Sequence, residues 1–496
     1  MQSRFDFEDI QAILFTAHGG LRLARHVFLQ FGDAERARHW LGRLANEVTT
    51  EAHVQQVQAG RGRAESALHV ALTAEGLRAL GLADDVLDTF PLEFLEGMAH
   101  ENRSRVLGDT GRSAPGNWDY GGPGAPIHLV LMLYAAGSEG HRGVLEALHA
   151  RQREHYTAHG LKELARQDTV QLARPGEKLK EPFGFSDGIT QPGIEGYHKP
   201  STQGLSVKPG EFILGYENAY GEQPLSPAVP AALDAGQHLP GVGAGAVLKD
   251  LGRNGTYLVL RKLRQDVEAF EAFLDAHSRD AREREWLAAR LVGRWRSGAP
   301  TSLCPAQDDP GLGEDPSRNN CFSYAQDPQG LMCPLGAHIR RANPRDGLIP
   351  GNREASLKVV ARHQLLRRGR PYHEPDGAQG GEARGLIFIA LNANLRRQFE
   401  LIQHSWLNST KFNGHFDSKD PLLGDNPEAG PGEVRALHGE AAGTVTIPDF
   451  PIARRIEGLT RFVDVRGGGY FFLPGVNALR FLARLPSAAR RLASAG

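Results

Sequence analysis

Asp187 is the only charged residue in a stretch of glycine, aromatic and other uncharged residues. The stretch Phe183–Gly188 reads Phe-Gly-Phe-Ser-Asp-Gly, and no other charge occurs between positions 182 and 194. Its glycines permit backbone conformations and close approaches that a side chain would prevent. A lone carboxylate in such surroundings is suited to accept and return a proton. Because an isolated Asp-Gly pair more often forms an ordinary turn, this acid gains significance only from what accompanies it.

Three features further along the chain have chemistry that could complement the acid. His338 follows a short apolar segment and precedes a cluster of arginines that ends at Arg345. Arg367 lies just before a glycine and a proline that indicate a turn. Leu386 and Phe388 lie two residues apart in a predicted strand, so they share one face. Taken singly, such features more often represent a structural histidine, a solvated basic loop and a core strand.

Together, an isolated acid, an imidazole, an arginine and an apolar wall are the groups that peroxide chemistry at haem requires. An imidazole can ligate haem iron from one side and leave the other side open. On the open side, a carboxylate can take a proton from hydrogen peroxide and return it to the departing oxygen. An arginine stabilises the negative charge that develops as the O–O bond breaks, and apolar residues limit the access of water.

Five segments carry a resemblance to a known family. They are GFSDG at 184–188, CPLGAHIRRANPR at 333–345, RRGRPY at 367–372, GLIFIALNANLRRQFELIQHSW at 385–406 and FVDVRGGGYFFLPG at 462–475. In this order they resemble the dye-decolorizing peroxidases, and the length of the chain is typical of the larger, more elaborated subgroup. The resemblance runs from roughly Asp9 to Gly475.

The resemblance implies an α+β fold in which two ferredoxin-like halves form a dimeric-type α+β barrel, with antiparallel sheets and peripheral helices. It also implies one non-covalent haem b per chain, held by the C-terminal half. The expected activity is a haem peroxidase that uses hydrogen peroxide to oxidise bulky aromatic reductants such as dyes and phenolics. A haem-handling protein of the same fold, for storage, transfer or deferrochelation, is the alternative, as is a non-catalytic binding protein.

On the iron-binding side, the resemblance assigns roles to His338 and Asp420. His338 matches the proximal iron ligand. Asp420, in the segment KDPLLGD, matches the carboxylate that hydrogen-bonds the proximal imidazole, and Asp425 is the competing choice. Such a partner fixes the orientation of the ring and strengthens it as a donor. Arg345 is a candidate for binding a haem propionate.

On the distal side, Asp187 matches the acid/base, Arg367 the distal arginine, and Leu386 and Phe388 the apolar wall. Two departures from the family pattern bear on the arginine. Its neighbour is also an arginine, and a long turn separates the pair from His338, so either guanidinium could enter the pocket. The compact subfamilies also have an asparagine two residues after the arginine, where this chain has a glycine.

The proposed base sets an expectation for the pH dependence of activity. An aspartate side chain has a reference pKa of about 3.9, whereas that of histidine is about 6.5. A carboxylate base therefore remains ionised in acid solution where an imidazole base would be protonated. We expect an acidic optimum for dye oxidation.

Composition limits the other classes of function. The chain has 496 residues, 40% hydrophobic and 23% charged, with a formal net charge of −1. These values are typical of a globular protein and do not favour nucleic acid as a partner. No apolar run approaches the ~20 residues that span a bilayer. We therefore expect no nucleic-acid or membrane partner, and a monomer or a homo-oligomer.

The cysteines indicate the compartment. Three cysteines, Cys304, Cys321 and Cys333, show neither CxxC nor CxxCH spacing. This excludes a four-cysteine metal site and covalent attachment of c-type haem. With no export signal evident, it favours a reducing, cytoplasmic setting.

The elements that must position these residues alternate between strands and helices in both parts of the chain. We predict strands at Asp9–Thr16 and Gly385–Leu391, a helix capped by Asp33, and a helix at Asn394–Trp406. The rhythm predicts an N-terminal half at residues 1–200, which carries GFSDG. It also predicts a C-terminal half at residues 201–496 with long insertions, and the resemblance implies that this half holds haem.

Overall fold

The computed structural model describes residues 5–171, 179–198, 206–243, 245, 247–375, 381–428 and 443–486. The strands are β1 Leu23–Phe31, β2 Ser66–Leu72, β3 Leu129–Ala135, β4 Leu161–Val170, β5 Gly193–Ile194, β6 Ser206–Val207, β7 Ala228–Pro230, β8 Gly241–Val242, β9 Leu248–Asp250, β10 Thr256–Gln265, β11 Leu366–Arg367, β12 Arg370–Pro375, β13 Glu382–Asn392, β14 Thr444–Ile447, β15 Arg454–Glu457 and β16 Val463–Leu473.

The α-helices are α1 Ala34–Leu44, α2 Glu51–Ala59, α3 Ala74–Ala79, α4 Asp84–Leu87, α5 Leu92–Glu96, α6 Glu101–Leu107, α7 Gly143–Ala158, α8 Val267–Ala276, α9 Ala281–Val292, α10 Pro310–Glu314, α11 His338–Ala342, α12 Arg353–Ala361 and α13 Val476–Leu482. Two π-helical segments are Arg396–Glu400 and Ile402–Leu407. Short 3-10 turns are Ala12–Leu14, Gly111–Ser113, Pro115–Asn117, Pro209–Glu211, Ala231–Leu233, Arg345–Gly347 and Phe412–Gly414. None of the helices in the described ranges is long and apolar enough to cross a membrane.

Nine of the described strands form one antiparallel sheet made of two similar halves. The N-terminal half has the order β4-β1-β3-β2, and the C-terminal half has the order β16-β10-β13 followed by β11 and β12. Counted within each half, with β11 and β12 taken as one interrupted strand, both run fourth, first, third, second. The halves join at one pair, Phe472 of β16 and Leu72 of β2. The predicted α+β class with two ferredoxin-like halves is confirmed, whereas the predicted boundary at residue 200 lies outside the described residues and stays a prediction.

The two ends of this sheet approach each other without pairing their backbones. Gln167 of β4 donates its side-chain amide to the carboxylate of Glu374 of β12 at 2.9 Å. Among the described residues, no ladder of backbone hydrogen bonds joins these two strands. The barrel is consequently not closed by strand pairing, and side chains make the contact across the seam.

Strand β3 shows how each half is buried on both faces. Its leucines at 129, 131 and 133 pack in a core with helices such as α1 and α7, while Met132 and Tyr134 pack in a second core on the other face. All of its residues are buried. This explains why the strand reads as a continuous apolar run rather than an alternating pattern.

The local predictions have mixed outcomes. The strand predicted at Gly385–Leu391 is β13, and Asp33 caps α1 by accepting a hydrogen bond from Arg36 N at 2.8 Å. The strand predicted at Asp9–Thr16 is wrong, because the segment forms a 3-10 turn. It is apolar because it is buried, and the side-chain amide of Gln11 donates to Val70 O at 2.9 Å. The segment Asn394–Trp406, predicted as one α-helix, instead forms the two π-helical segments Arg396–Glu400 and Ile402–Leu407.

Candidate active site

A cavity of about 310 Å³ lies between the C-terminal half of the sheet and the helical segments that cover it. Ligand pockets typically begin near this size. Six of the seven predicted site residues line it, and the seventh, Asp420, lies behind its wall. The six are Asp187, His338, Arg345, Arg367, Leu386 and Phe388. Residues far apart in the sequence are thus brought to one place by the fold.

His338 is positioned by the short helix that it begins. The neighbouring Arg341 is fully buried and donates through Nε to Trp406 O at 2.7 Å and through Nη1 to Ser418 O at 3.0 Å. These bonds tie α11 to the segment that leads into Asp420. The helix and the acid are therefore held in a fixed relation.

Asp420 is the carboxylate that contacts the imidazole. His338 Nδ1 donates to Asp420 Oδ2 at 3.0 Å, and Oδ1 accepts from the backbone N–H groups of Leu422 and Leu423 at 2.9 and 2.8 Å. Burial alone would raise the pKa of Asp420, but the imidazole and these hydrogen bonds hold that pKa below its ordinary value. Asp425, the competing choice, instead lines the cavity with Lys419 Nζ 3.0 Å from its Oδ1.

The bond to Asp420 determines which ring nitrogen of His338 is available. With Nδ1 used as the donor, Nε2 is left as an acceptor, and among the described residues it has no hydrogen-bond partner. The side chain is 22% exposed, at the wall of the cavity. A neutral imidazole held in this way is a typical metal ligand.

Asp187 lies on a loop that requires glycine. Gly184 and Gly188 have φ angles of +89° and +74°, which side chains rarely adopt. The acid's Oδ1 accepts from Gly188 N at 2.6 Å, and its backbone N–H donates to Leu179 O at 3.0 Å. The Asp-Gly pair lies in an irregular loop with a bend at Gly188, and Asp187 is an exposed residue that lines the cavity.

A second carboxylate, missed in the sequence, anchors this loop. Glu181 accepts from the backbone N–H groups of Phe183 and Phe185 at 2.9 and 2.8 Å and from Gln265 Nε2 at 2.6 Å. Burial raises the pKa of Glu181, and these donors oppose that rise. The sequence shows a glutamate two residues before this loop, but its spacing does not indicate that its carboxylate binds the backbone of the loop.

Arg367, rather than its neighbour, is the arginine at the cavity. Its Nη2 donates to Thr190 O at 2.6 Å, close in sequence to Asp187. Arg368 points the other way and donates to Ile13 O and Leu14 O at 2.7 and 3.0 Å. The alternation of side chains along a strand sends the two to opposite faces.

Two guanidinium groups, those of the buried Arg294 and the half-buried Arg345, form a cationic part of the cavity wall. Arg345 donates to Asn320 O at 2.9 Å and lies over the Phe322 ring at 3.8 Å, while Arg294 donates to Asn319 O at 2.6 Å. Burial lowers the pKa of both, that of Arg294 to about 10. Among the described residues, neither has a salt bridge to a carboxylate. Because buried cations without an ion-pair partner are costly, this wall is suited to an anionic group of a ligand. The sequence analysis did not identify Arg294.

Apolar residues form much of the remaining wall. Leu386 and Phe388 face the cavity from β13, while the alternating residues Ile387 and Ile389 are buried in the core on the other face. Further apolar lining comes from Phe399 and from segments outside the sheet. Such a wall suits a largely apolar ligand.

The chain is similar to several known peroxidases along most of its length. It is 31% identical over 519 residues to a dye-decolorizing peroxidase of Mycena epipterygia, covering 97% of this chain and 88% of that protein. It is 30% identical to the multifunctional dye peroxidase DyP2 of Amycolatopsis sp., covering 96% and 95%. A solved DyP-type peroxidase structure from Auricularia auricula-judae superposes with a TM-score of 0.74 at 25% identity, covering 97% of this chain and all of that chain. No protein-family model matches the sequence.

Proposed function

The chain belongs to the dye-decolorizing peroxidases, and on this premise we propose that it uses hydrogen peroxide to oxidise bulky aromatic compounds such as dyes and phenolics. The observation that carries the proposal is the convergence of Asp187, Arg367 and His338 on one cavity. These three come from separate parts of the chain. A site of this composition needs a cofactor that reacts with peroxide, and the family is haem-dependent.

The residues present fit haem. His338 would ligate iron through Nε2, with its ring fixed by Asp420. Leu386 and Phe388 would contact the apolar macrocycle, and Arg345, next to Arg294, would meet a propionate. When bound, haem supplies an iron centre that reacts with peroxide and returns to its resting state by taking electrons from a reductant. We propose one haem b per chain, at this cavity, and non-covalent binding because CxxCH spacing is absent from the sequence.

Asp187 and Arg367 would carry out the proton and charge steps. The carboxylate of Asp187 accepts a proton from hydrogen peroxide and returns it to the departing oxygen as water forms. The guanidinium of Arg367 stabilises negative charge on the oxygen that leaves. Leu386 and Phe388 limit the access of water to the space between Asp187 and Arg367. The charges of the carboxylate and the guanidinium therefore act in a medium of low polarity.

The proposal is tested by the visible spectrum of the purified protein supplied with haem, before and after hydrogen peroxide is added. We expect a Soret band that changes on addition of peroxide and recovers when an aromatic reductant follows. Absence of a Soret band would refute a haem function. A Soret band that does not respond to peroxide would instead indicate the haem-handling alternative.

Two variants test the assigned roles. Asp187→Asn and Arg367→Leu should bind haem but slow the peroxide-induced spectral change by about 10² or more, the usual cost of losing a proton-transfer group or a charge stabiliser. An unchanged rate in either variant would remove that residue from the step.

The cytoplasmic location stays a proposal, which cell fractionation tests.

A further inference from the structure

The edge of the sheet next to the cavity is occupied by a side chain rather than by another strand. Strand β11 is the edge strand, and on its inner side Arg368 N donates to Ile389 O of β13 at 2.8 Å. The peptide groups of Arg367 face outwards. There Gln191 Oε1 accepts from Arg367 N at 3.1 Å, and Gln191 Nε2 donates to Arg367 O at 3.2 Å. One amide therefore binds both groups, as a neighbouring strand would, and Arg367 O also accepts from Arg368 Nη1 at 3.0 Å.

The contact is reciprocal. While the side chain of Gln191 holds the backbone of Arg367, the side chain of Arg367 donates to the backbone carbonyl of Thr190 at 2.6 Å. Thr190 is fixed in turn, because its hydroxyl donates to Asn320 Oδ1 at 2.8 Å. The segment that starts at Asp187 and the strand that carries Arg367 are thus linked by three hydrogen bonds.

We propose that Gln191 is a positioning residue that holds Arg367 in register with Asp187, so that the acid and the guanidinium address the same peroxide molecule. This rests on the proposed function. Gln191 itself need not touch peroxide. A small misplacement of a charged group in a catalytic site has large kinetic effects, so the link sets the efficiency of the peroxide step.

Hydrogen exchange tests the link without haem or activity. In the haem-free protein, Gln191→Met removes the acceptor of the Arg367 amide while keeping a side chain of similar length. We expect exchange at the Arg367 amide to accelerate at least tenfold. The Arg368 amide, bonded to Ile389 O, is an internal control that should not change. Gln191→Glu retains an oxygen acceptor and should keep exchange at Arg367 slow; equal exchange in all three proteins would overturn the proposal.

Rapid mixing of the haem-loaded protein tests the consequence. Gln191→Met should slow the spectral change caused by peroxide about tenfold or more, and leave the later reaction with reductant unaltered. In an Arg367→Leu background the same substitution should have no further effect, because Gln191 acts through that side chain. Additive losses, or an equal loss in both steps, would show a general structural role and overturn the proposal.

Gln152→Met is the matched control. Gln152 lies on α7, which packs on the N-terminal half of the sheet, and it is fully buried and donates to Glu47 Oε2 at 2.7 Å. Its loss should leave the peroxide step unchanged. The two proposals fail in distinguishable ways. If Asp187→Asn and Arg367→Leu do not slow the peroxide step, the proposed function fails. If they do and Gln191→Met does not, only the role of Gln191 fails.

Discussion

The buried histidine His26 should make the protein less stable in acid. It lies on β1 with its side chain 1% exposed. Burial lowers the pKa of its imidazole to about 4, and the positive charge of Arg370 acts in the same direction. The unfolded chain, with an ordinary histidine pKa near 6.5, binds the proton more readily. Stability from this group is therefore complete above about pH 6.5 and declines as the pH falls towards 4.

The size of the effect follows from the two pKa values. At pH 5 the unfolded imidazole is almost fully protonated and the folded one is almost neutral, so the free energy of unfolding falls by about 2 kcal/mol relative to pH 7. His26→Leu removes this contribution. Denaturant unfolding followed by circular dichroism at pH 7 and pH 5 measures it, since the variant should lose about 2 kcal/mol less than the wild-type protein.

Other buried histidines do not affect this comparison, because they are common to both proteins. The exposed His53 provides a matched control, and His53→Leu should leave the pH dependence as it is. If the wild-type protein and His26→Leu lost the same stability between the two pH values, the reasoning from burial would be refuted. Any loss of stability in acid solution would then have a cause other than protonation of His26.

Three further predictions concern the site. Asp420→Asn should raise the reduction potential of bound haem, since an amide is a weaker acceptor for His338 Nδ1; an unchanged potential in a spectroelectrochemical titration would contradict this. Arg345→Leu should weaken haem binding about tenfold or more through loss of a charged partner, as a haem titration would show, and unaltered affinity would remove Arg345 from the site. Dye oxidation should be fastest in acid solution, because a carboxylate base such as Asp187 works at lower pH than an imidazole; a pH profile in which activity disappears below neutrality would argue against this base.

The residues that share the cavity were predictable from the combination of their chemistry and from the resemblance to a known family. Taken singly, Asp187, His338 and Arg367 gave little indication of function, and the alternation of a strand showed only that Leu386 and Phe388 share one face. The antiparallel α+β architecture was predictable in the same way, from repeated strand and helix patterns. These features depend on short-range regularities that a sequence displays directly.

What could not be predicted depends on contacts between distant segments. The resemblance favoured Asp420 over Asp425, but only the fold shows that Asp420 contacts His338 while Asp425 is near Lys419. Gln191 bonds to a strand 176 residues away, with no periodicity that would indicate it. The segment at Asp9–Thr16 looked like a strand because burial by packing and burial in a sheet give the same apolar run.

The central claim is that the cavity holds haem through His338. Two histidines line the described part of the cavity, and the other, His363, already uses Nδ1 in a hydrogen bond of 2.5 Å to Arg397 O. The direct measurement is a haem titration, followed at the Soret band, of the wild-type protein, His338→Ala and His363→Ala. The account predicts that His338→Ala loses tight haem binding while His363→Ala retains it. Retention of haem with an unchanged spectrum in His338→Ala would contradict it.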